Sequence, residues 1–360
     1  MNKIRYGFVF ILVLVLLAGC GKKEEQPKDS TPTPQTSQPP VEQTEVPQET
    51  ETPPAGMARS KLTNEWIPEA KANARPYAIM LSNIEVASPQ SGIGQAGILY
   101  ECLVEGGITR FMGVFDNFDT DRIGSVRSAR HYYVSIADEY DAIYVHYGQS
   151  KYTQDVLDNL GVDNLSGLAS VGSTVFYRDE KIEAPHNAFA SYEGIVKGTG
   201  KLEYRTEYRE NMTSHYEFNN TDTDLVSGSA ANKVTVPFSK KYSPYFEYDA
   251  TNKVYKRSQF NKPHVDANTK EQLTFKNLIV QFVEESTMDE KGRQDMNLSN
   301  ATGDGYYFTN GKFMKITWKK NESEESMSYF DENGKKLTVN TGKTYIGLFP
   351  SKNKDKIIVE

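Results

Sequence analysis

From Arg75 onward the chain breaks into short apolar runs divided by turn residues. The run at 77–83 predicts a strand, and Pro89-Gln-Ser-Gly92 supplies turn chemistry after it. The next run predicts a helix over 93–105, closed by Gly106-Gly107. In that helix Ala96, Leu99 and Leu103 share a face, and Glu101 and Glu105, four apart, stack on another. A strand is expected over 108–115, turning Thr109, Phe111 and Phe115 one way and Arg110 the other. Ser125 or Ser128 is placed to cap a helix running to Tyr140. A strand over 142–147 and a helix over 152–160, stopped by Gly161, complete an alternation that implies mixed α/β layering.

Residues 219–229 turn to Asn, Thr, Asp, Ser and Gly, and beyond them strand patterns dominate. Asn310-Gly311 and Asn333-Gly334 are strong hairpin signals, because a type I′ turn needs positive φ at both central residues. The expected fold class is α+β, with a mixed α/β domain over 63–222 followed by a β-rich domain over 228–360. A remainder of this length suits two domains of ordinary size.

The first 62 residues read differently. Lys3 and Arg5 precede an apolar run at 7–17 that is too short to span a bilayer and ends in Leu17-Ala18-Gly19-Cys20. This is the layout of a secretory signal over 1–19. The Leu-Ala-Gly-Cys run resembles the lipobox of bacterial lipoproteins. That resemblance implies diacylglycerol on Cys20 and a position at the outer face of the cytoplasmic membrane. Residues 20–62 are rich in Pro, Thr, Gln, Glu and Ser and are expected to form a disordered tether.

Net charge narrows the partners. The whole chain carries −7, and removing Lys3 and Arg5 with a leader makes that −9. Nucleic acid is excluded, since it calls for a basic face, and broad adhesion to anionic lipid or wall polymer is disfavoured. Cys20 and Cys102 are the two cysteines, so a lipidated chain keeps one thiol and no internal disulfide.

The candidate chemistry lies between residues 101 and 187. Glu101, Glu105, Arg110, Arg127, Arg130 and His146 interrupt otherwise apolar or small-residue runs, and His186-Asn187 follow Arg178. A desolvated charge needs a partner, so these residues predict a paired network or a lined cleft. Pairing of Glu101 and Glu105 with Arg110, Arg127 or Arg130 is expected. It would lower the glutamate pKa, which is wrong for a general acid. Two glutamates one helical turn apart also fit glycosidase geometry poorly, because those carboxylates flank the bond from opposite sides. Arginines near a helix start suit a carboxylate or phosphate.

Cys102 sits among apolar neighbours and reads as a core residue. The five histidines show no H-x-x-x-H or H-x-H spacing, so no metal is expected. Gly92, Gly94 and Gly97 have dinucleotide-loop spacing, but they follow the strand at too great a distance and after Pro89. They read as turn glycines, and no cofactor is expected.

Several of these motifs together, P-Q-S-G-I, Y-E-C-L-V-E-G-G-I-T-R-F, I-G-S-V-R-S-A-R, H-Y-G-Q-S and A-P-H-N, resemble the YerB family of lipoproteins. The similarity extends to Tyr255-Lys-Arg257, His264-Val-Asp266 and Gly342-Lys-Thr344. It implies a two-domain lipoprotein and supplies no catalytic residues. The leading expectation is a membrane-anchored protein that binds peptidoglycan, another envelope component or a wall-synthesis protein through the Arg/Glu/His cleft. The competing expectation is a wall-modifying hydrolase or transferase using Glu101 or Glu105 with His146 or His186.

Overall fold

Beyond the leader, the buried strands Tyr77–Ser82, Ile98–Leu103, Thr109–Phe115, Asn277–Val283 and Thr344–Pro350 become neighbours in one sheet. In the computed structural model, residues 52–321 and 326–360 are described, and Thr52–Glu360 forms one compact unit. The leader at 1–19, the lipidation site Cys20 and the tether up to residue 51 lie outside the described residues. Met57–Arg59 already pairs with Trp66–Pro68, and Leu62 is buried, so ordered structure begins inside the stretch 20–62.

The principal elements in the first part are β1 (Tyr77–Ser82), β2 (Ile98–Leu103), β3 (Thr109–Phe115), α1 (His131–Glu139), β4 (Ile143–His146), α2 (Lys151–Leu160), β5 (Asn164–Ser166), β6 (Ala188–Ala190) and α3 (Tyr192–Lys201). In the second part they are β7 (Lys233–Thr235), β8 (Tyr245–Asp249), β9 (Val254–Gln259), β10 (Asn277–Val283), β11 (Ala301–Thr309), β12 (Lys312–Lys320) and β13 (Thr344–Pro350). The main sheet runs β12-β11-β10-β13-β2-β3-β1-β4-β5. The fold is therefore a mixed sheet with helices in the first part, while the second part is mostly strands.

β13 joins the parts. It pairs parallel with β10 on one side and parallel with β2 on the other. A second sheet, built on β7, β8 and β9, contributes residues that pack on the same core. Asn310 and Gly311 both take positive φ in the tight β11–β12 hairpin, as a type I′ turn requires. Asn333-Gly334 differs: only Gly334 is left-handed, and Asp331 Oδ1 accepts from the Asn333 and Lys335 amides instead.

Two sequence expectations are corrected here. Residues 93–105 are not a helix: a single 3₁₀ turn at Ile93–Gln95 leads into strand β2. All six β2 residues are buried, because the sheet is covered on both faces, and such a strand loses the polar alternation that would identify it. Helix α1 starts at His131 with Arg130 as its N-cap, and neither Ser125 nor Ser128 caps it. By contrast, α2 ends at left-handed Gly161, as expected, and it begins one residue earlier than expected, capped by Ser150, whose hydroxyl accepts from the Thr153 amide.

Candidate functional site

The change from helix to strand separates the two glutamates. On β2, Cys102 faces the side that α1 covers, while Glu101 faces the opposite side, beneath β9. Glu105 lies beyond the strand end, in the turn Glu105–Gly107. The two carboxylates therefore do not share a face and do not form a pair.

Glu101 is fully buried and does not meet Arg110, Arg127 or Arg130. Its partner is Arg257 of β9, whose Nη2 lies 2.7 Å from Glu101 Oε2 with both side chains fully buried. The Tyr345 hydroxyl donates to the same oxygen at 2.9 Å. Asn83 Nδ2 and Thr109 Oγ1 donate to Oε1 at 2.9 and 2.7 Å. Arg257 also bonds Gln259 and His264 Nδ1 and lies over the Phe111 ring, 5.0 Å from its centroid. Because Nδ1 of His264 accepts from the guanidinium, its Nε2–H donates to Gln90 Oε1 at 2.6 Å. Burial first, and the Arg257 charge second, hold this imidazole neutral far below its ordinary range. Glu101 is thus the centre of an interlock between the two parts of the chain and reaches no solvent.

The neighbouring glycines belong to the same seam. Asp266 accepts from the Gly92 and Gly94 amides at 3.1 and 2.7 Å. The amides that could have cradled a phosphate are filled by this carboxylate, in keeping with the reading of turn glycines.

Arg110 and Arg130 gather elsewhere, around Glu105. Arg130 makes a forked contact to Glu105, with Nε to Oε2 at 3.1 Å, and Arg110 Nη2 lies 4.0 Å from Glu105 Oε1. Arg110 and Arg130 are buried, whereas Arg127 is half-buried and donates from Nη1 to the Pro185 carbonyl at 2.8 Å. Two guanidiniums thus share one carboxylate, and Arg127 adds a third positive charge within electrostatic range of them. Burial pulls Arg110 down to about 9, and Arg130 and Arg127 add to that while Glu105 opposes it. Burial draws the Glu105 carboxyl upward, but Arg130 and Arg110 together hold it below its ordinary value. Glu105 is a counter-ion, not a proton donor.

The local backbone explains this convergence. β1, β4 and β5 are parallel, and ligands of such sheets lie beyond the carboxyl ends of the strands. The Arg127 amide donates to Met80 O of β1, and its carbonyl accepts from the Tyr147 amide just after β4. Arg127 therefore sits where β1 and β4 end. Ser128 O accepts from both Arg110 and Arg130 and holds the two guanidiniums together.

His186 and Asn187 flank this cluster. Asn187 Oδ1 accepts from Arg178 Nη1 at 2.6 Å, and Arg178 lies over the Tyr147 ring at 4.8 Å. His186 feels Arg127, and its pKa is lowered by burial first and by that charge second. His146 stands apart. It is fully buried, contacts Gly148 O and Asn164 Oδ1 at 3.1 and 3.2 Å, and is held neutral by burial. The structure thus brings Glu105, Arg110, Arg127 and Arg130 together, with His186 and Asn187 beside them. It places Glu101 and His146 outside that cluster. Cys102 is buried, and burial pushes its thiol far up.

Comparison with known proteins agrees with the motif pattern. Residues 62–205 match the family described as "Protein of unknown function (DUF3048) N-terminal domain", and residues 234–346 match its C-terminal domain. The Bacillus subtilis (strain 168) protein named "Putative lipoprotein YerB" is 29% identical over 300 residues, covering 82% of this chain and 87% of the relative. A crystal structure of YerB protein from Bacillus subtilis superposes with a TM-score of 0.75 at 27% identity, over 84% of this chain and 99% of that one. Among the described residues no helix is long and apolar enough to cross a membrane. With both of its domains matched in order, the chain belongs to the DUF3048 family, the YerB-like proteins.

Proposed function

We propose that this protein is a lipid-anchored envelope protein that binds an anionic envelope component through the cleft of Glu105, Arg110, Arg127 and Arg130. Cys20 would carry the diacylglycerol and the 20–62 segment would hold the cleft away from the membrane. One observation carries the reading: two buried guanidiniums, Arg110 and Arg130, pair with a single carboxylate, and the half-buried Arg127 adds a third positive charge within electrostatic range of them at the carboxyl ends of parallel strands. A guanidinium is always charged, and its planar fork fits a carboxylate or phosphate. The overall charge of −7 opposes unselective adhesion to anionic polymer, but it does not reach inside a cleft at contact range. The hydrolase reading loses its acid, since Glu101 is sealed beneath β9 and Glu105 is held ionised.

The test uses the full-length chain in detergent, mixed with purified cell walls and sedimented. Protein should pellet with the walls and release no soluble wall fragments. Arg127→Gln, at a half-buried position, should weaken pelleting by roughly tenfold or more, the worth of one hydrogen bond to a charged group, with an unchanged unfolding midpoint. Undiminished pelleting of Arg127→Gln would remove the cleft from the interaction. Released fragments would restore the hydrolase.

A further inference from the structure

We infer that the cavity next to Arg127 is a second subsite, shaped for the acetamido group of an amino sugar whose acidic substituent rests on the guanidiniums. The inference depends on the anion reading of the cleft. The cavity measures about 340 Å³, and its lining includes Ser91, Arg122, Ser125, Ile182, His186 and Phe189. Two of these residues carry unmet hydrogen-bonding capacity. Ser125 is 2% exposed and its hydroxyl has no partner among the described residues, and His186 Nδ1 has none either. Buried polar atoms in native proteins are nearly always paired, so two orphans lining one cavity point to a ligand. Rotation of Ser125 between staggered χ1 positions is enough to turn its hydroxyl toward a guest.

The cavity and the guanidinium adjoin. Val126 bridges Leu81, so the chain is extended there, and Ser125 and Arg127, on either side of Val126, project to the same face. Arg127 Nη1 donates to the carbonyl of Pro185, the residue before His186, which ties the anion site to the cavity wall.

The lining favours a neutral guest with one apolar end. Arg122 is committed, with Nη2 on Asp179 at 2.7 Å and Nε on Ser91 at 3.2 Å, and it lies 3.6 Å over the Phe189 ring. It therefore serves as a wall and not as a free cation. An acetamido group offers one N–H, one carbonyl and one methyl. The first two match the hydroxyl and imidazole nitrogen, and the methyl matches Ile182 and Phe189. A bare phosphate or hydroxyl would leave the apolar side empty.

The test titrates three probes into the full-length chain in detergent by calorimetry: N-acetylmuramic acid, N-acetylglucosamine and lactate. N-acetylmuramic acid, which holds both groups, should bind roughly tenfold or more tighter than either fragment. Ser125→Ala should weaken N-acetylmuramic acid by roughly fivefold, the worth of one neutral hydrogen bond, and leave lactate unchanged. Ile182→Trp, at the half-buried rim, should have the same selective effect by filling the cavity. Arg127→Gln should weaken both acids. If N-acetylmuramic acid binds no tighter than lactate, or ignores both cavity variants, the subsite is overturned while the anion site stands. If neither acid responds to Arg127→Gln, the anion site itself is overturned, and the subsite with it.

Discussion

Arg257→Met is expected to cost about 3–5 kcal/mol of stability, the usual consequence of stranding one member of a buried ion pair. Arg257 is fully buried and bonds Glu101, Gln259 and His264 at once. Without it the Glu101 carboxylate keeps Tyr345, Asn83 and Thr109 as donors but loses the counter-charge of Arg257. Adding Glu101→Gln to Arg257→Met removes that stranded charge and keeps an acceptor for the donors, so the double variant should recover about half of the loss. Urea unfolding followed by tryptophan fluorescence measures both, since Trp318 is buried in the same core. A double variant as unstable as the sum of its singles would show that the pair acts through packing alone. The comparison also separates stability from binding: Glu101 lies outside the cleft, so wall pelleting by the folded fraction should be unchanged.

Acidification should destabilise the protein before its carboxylates begin to titrate. His215 is buried, stacks on Tyr140 at 4.5 Å, and has no hydrogen-bond partner on either nitrogen among the described residues. Glu139 Oε2 lies 3.8 Å from its Nδ1, too far for a hydrogen bond, and that carboxylate is already committed to Lys320 and the Met327 amide. Burial first, and the Lys320 charge second, push the imidazole down to about 3. The unfolded chain takes up a proton on this residue near pH 6.5, while the folded chain does not. Its contribution is therefore complete above pH 6.5 and lost as pH falls toward 3, by up to about 1.4 kcal/mol per pH unit. His146 and His264 are also lowered by burial and act in the same direction. His215→Phe keeps the stacked ring and removes the proton site. It should leave stability at pH 7.5 equal or higher and reduce the loss between pH 6 and 4 by about 2–3 kcal/mol. An unchanged acid slope in this variant would mean that His215 is protonated in the folded state.

Much of this architecture was legible from local pattern. The strands at 77–82 and 109–115, the α2 helix with its Ser150 and Gly161 ends, and the Asn310-Gly311 hairpin each carry a signal within a few residues. The segment Ile98–Leu103 does not. Buried on both faces, it shows no alternation, and Ala96, Leu99 and Leu103 happen to satisfy a helical stripe. That misreading carried Glu101 into the arginine cleft. Its true partner lies 156 residues away in sequence, a distance that periodicity cannot bridge. The Tyr255-Lys-Arg257 and His264-Val-Asp266 motifs were visible, yet nothing local distinguishes an arginine that will be sealed from one facing water. Arg130 was expected near a helix start and is the N-cap itself, but Arg127 lies before it, because the serines that suggested an earlier start are not used as caps. The cavity residue Ser125 was read as a helix cap, and only the three-dimensional wall around it reveals an unpaired hydroxyl.

The position of β13 has a consequence for biogenesis. Its seven residues close the sheet between β10 and β2, yet they lie within the final stretch of the chain. A polypeptide emerging amino-terminus first presents the edge of β2, an apolar strand with unpaired backbone groups, for almost its entire synthesis. The first part can form hairpins and helices during that time but cannot complete its sheet. The sheet therefore lacks its linking strand until Thr344–Pro350 has been made. Premature termination anywhere before Thr344 would release an open, adhesive sheet rather than a smaller working domain.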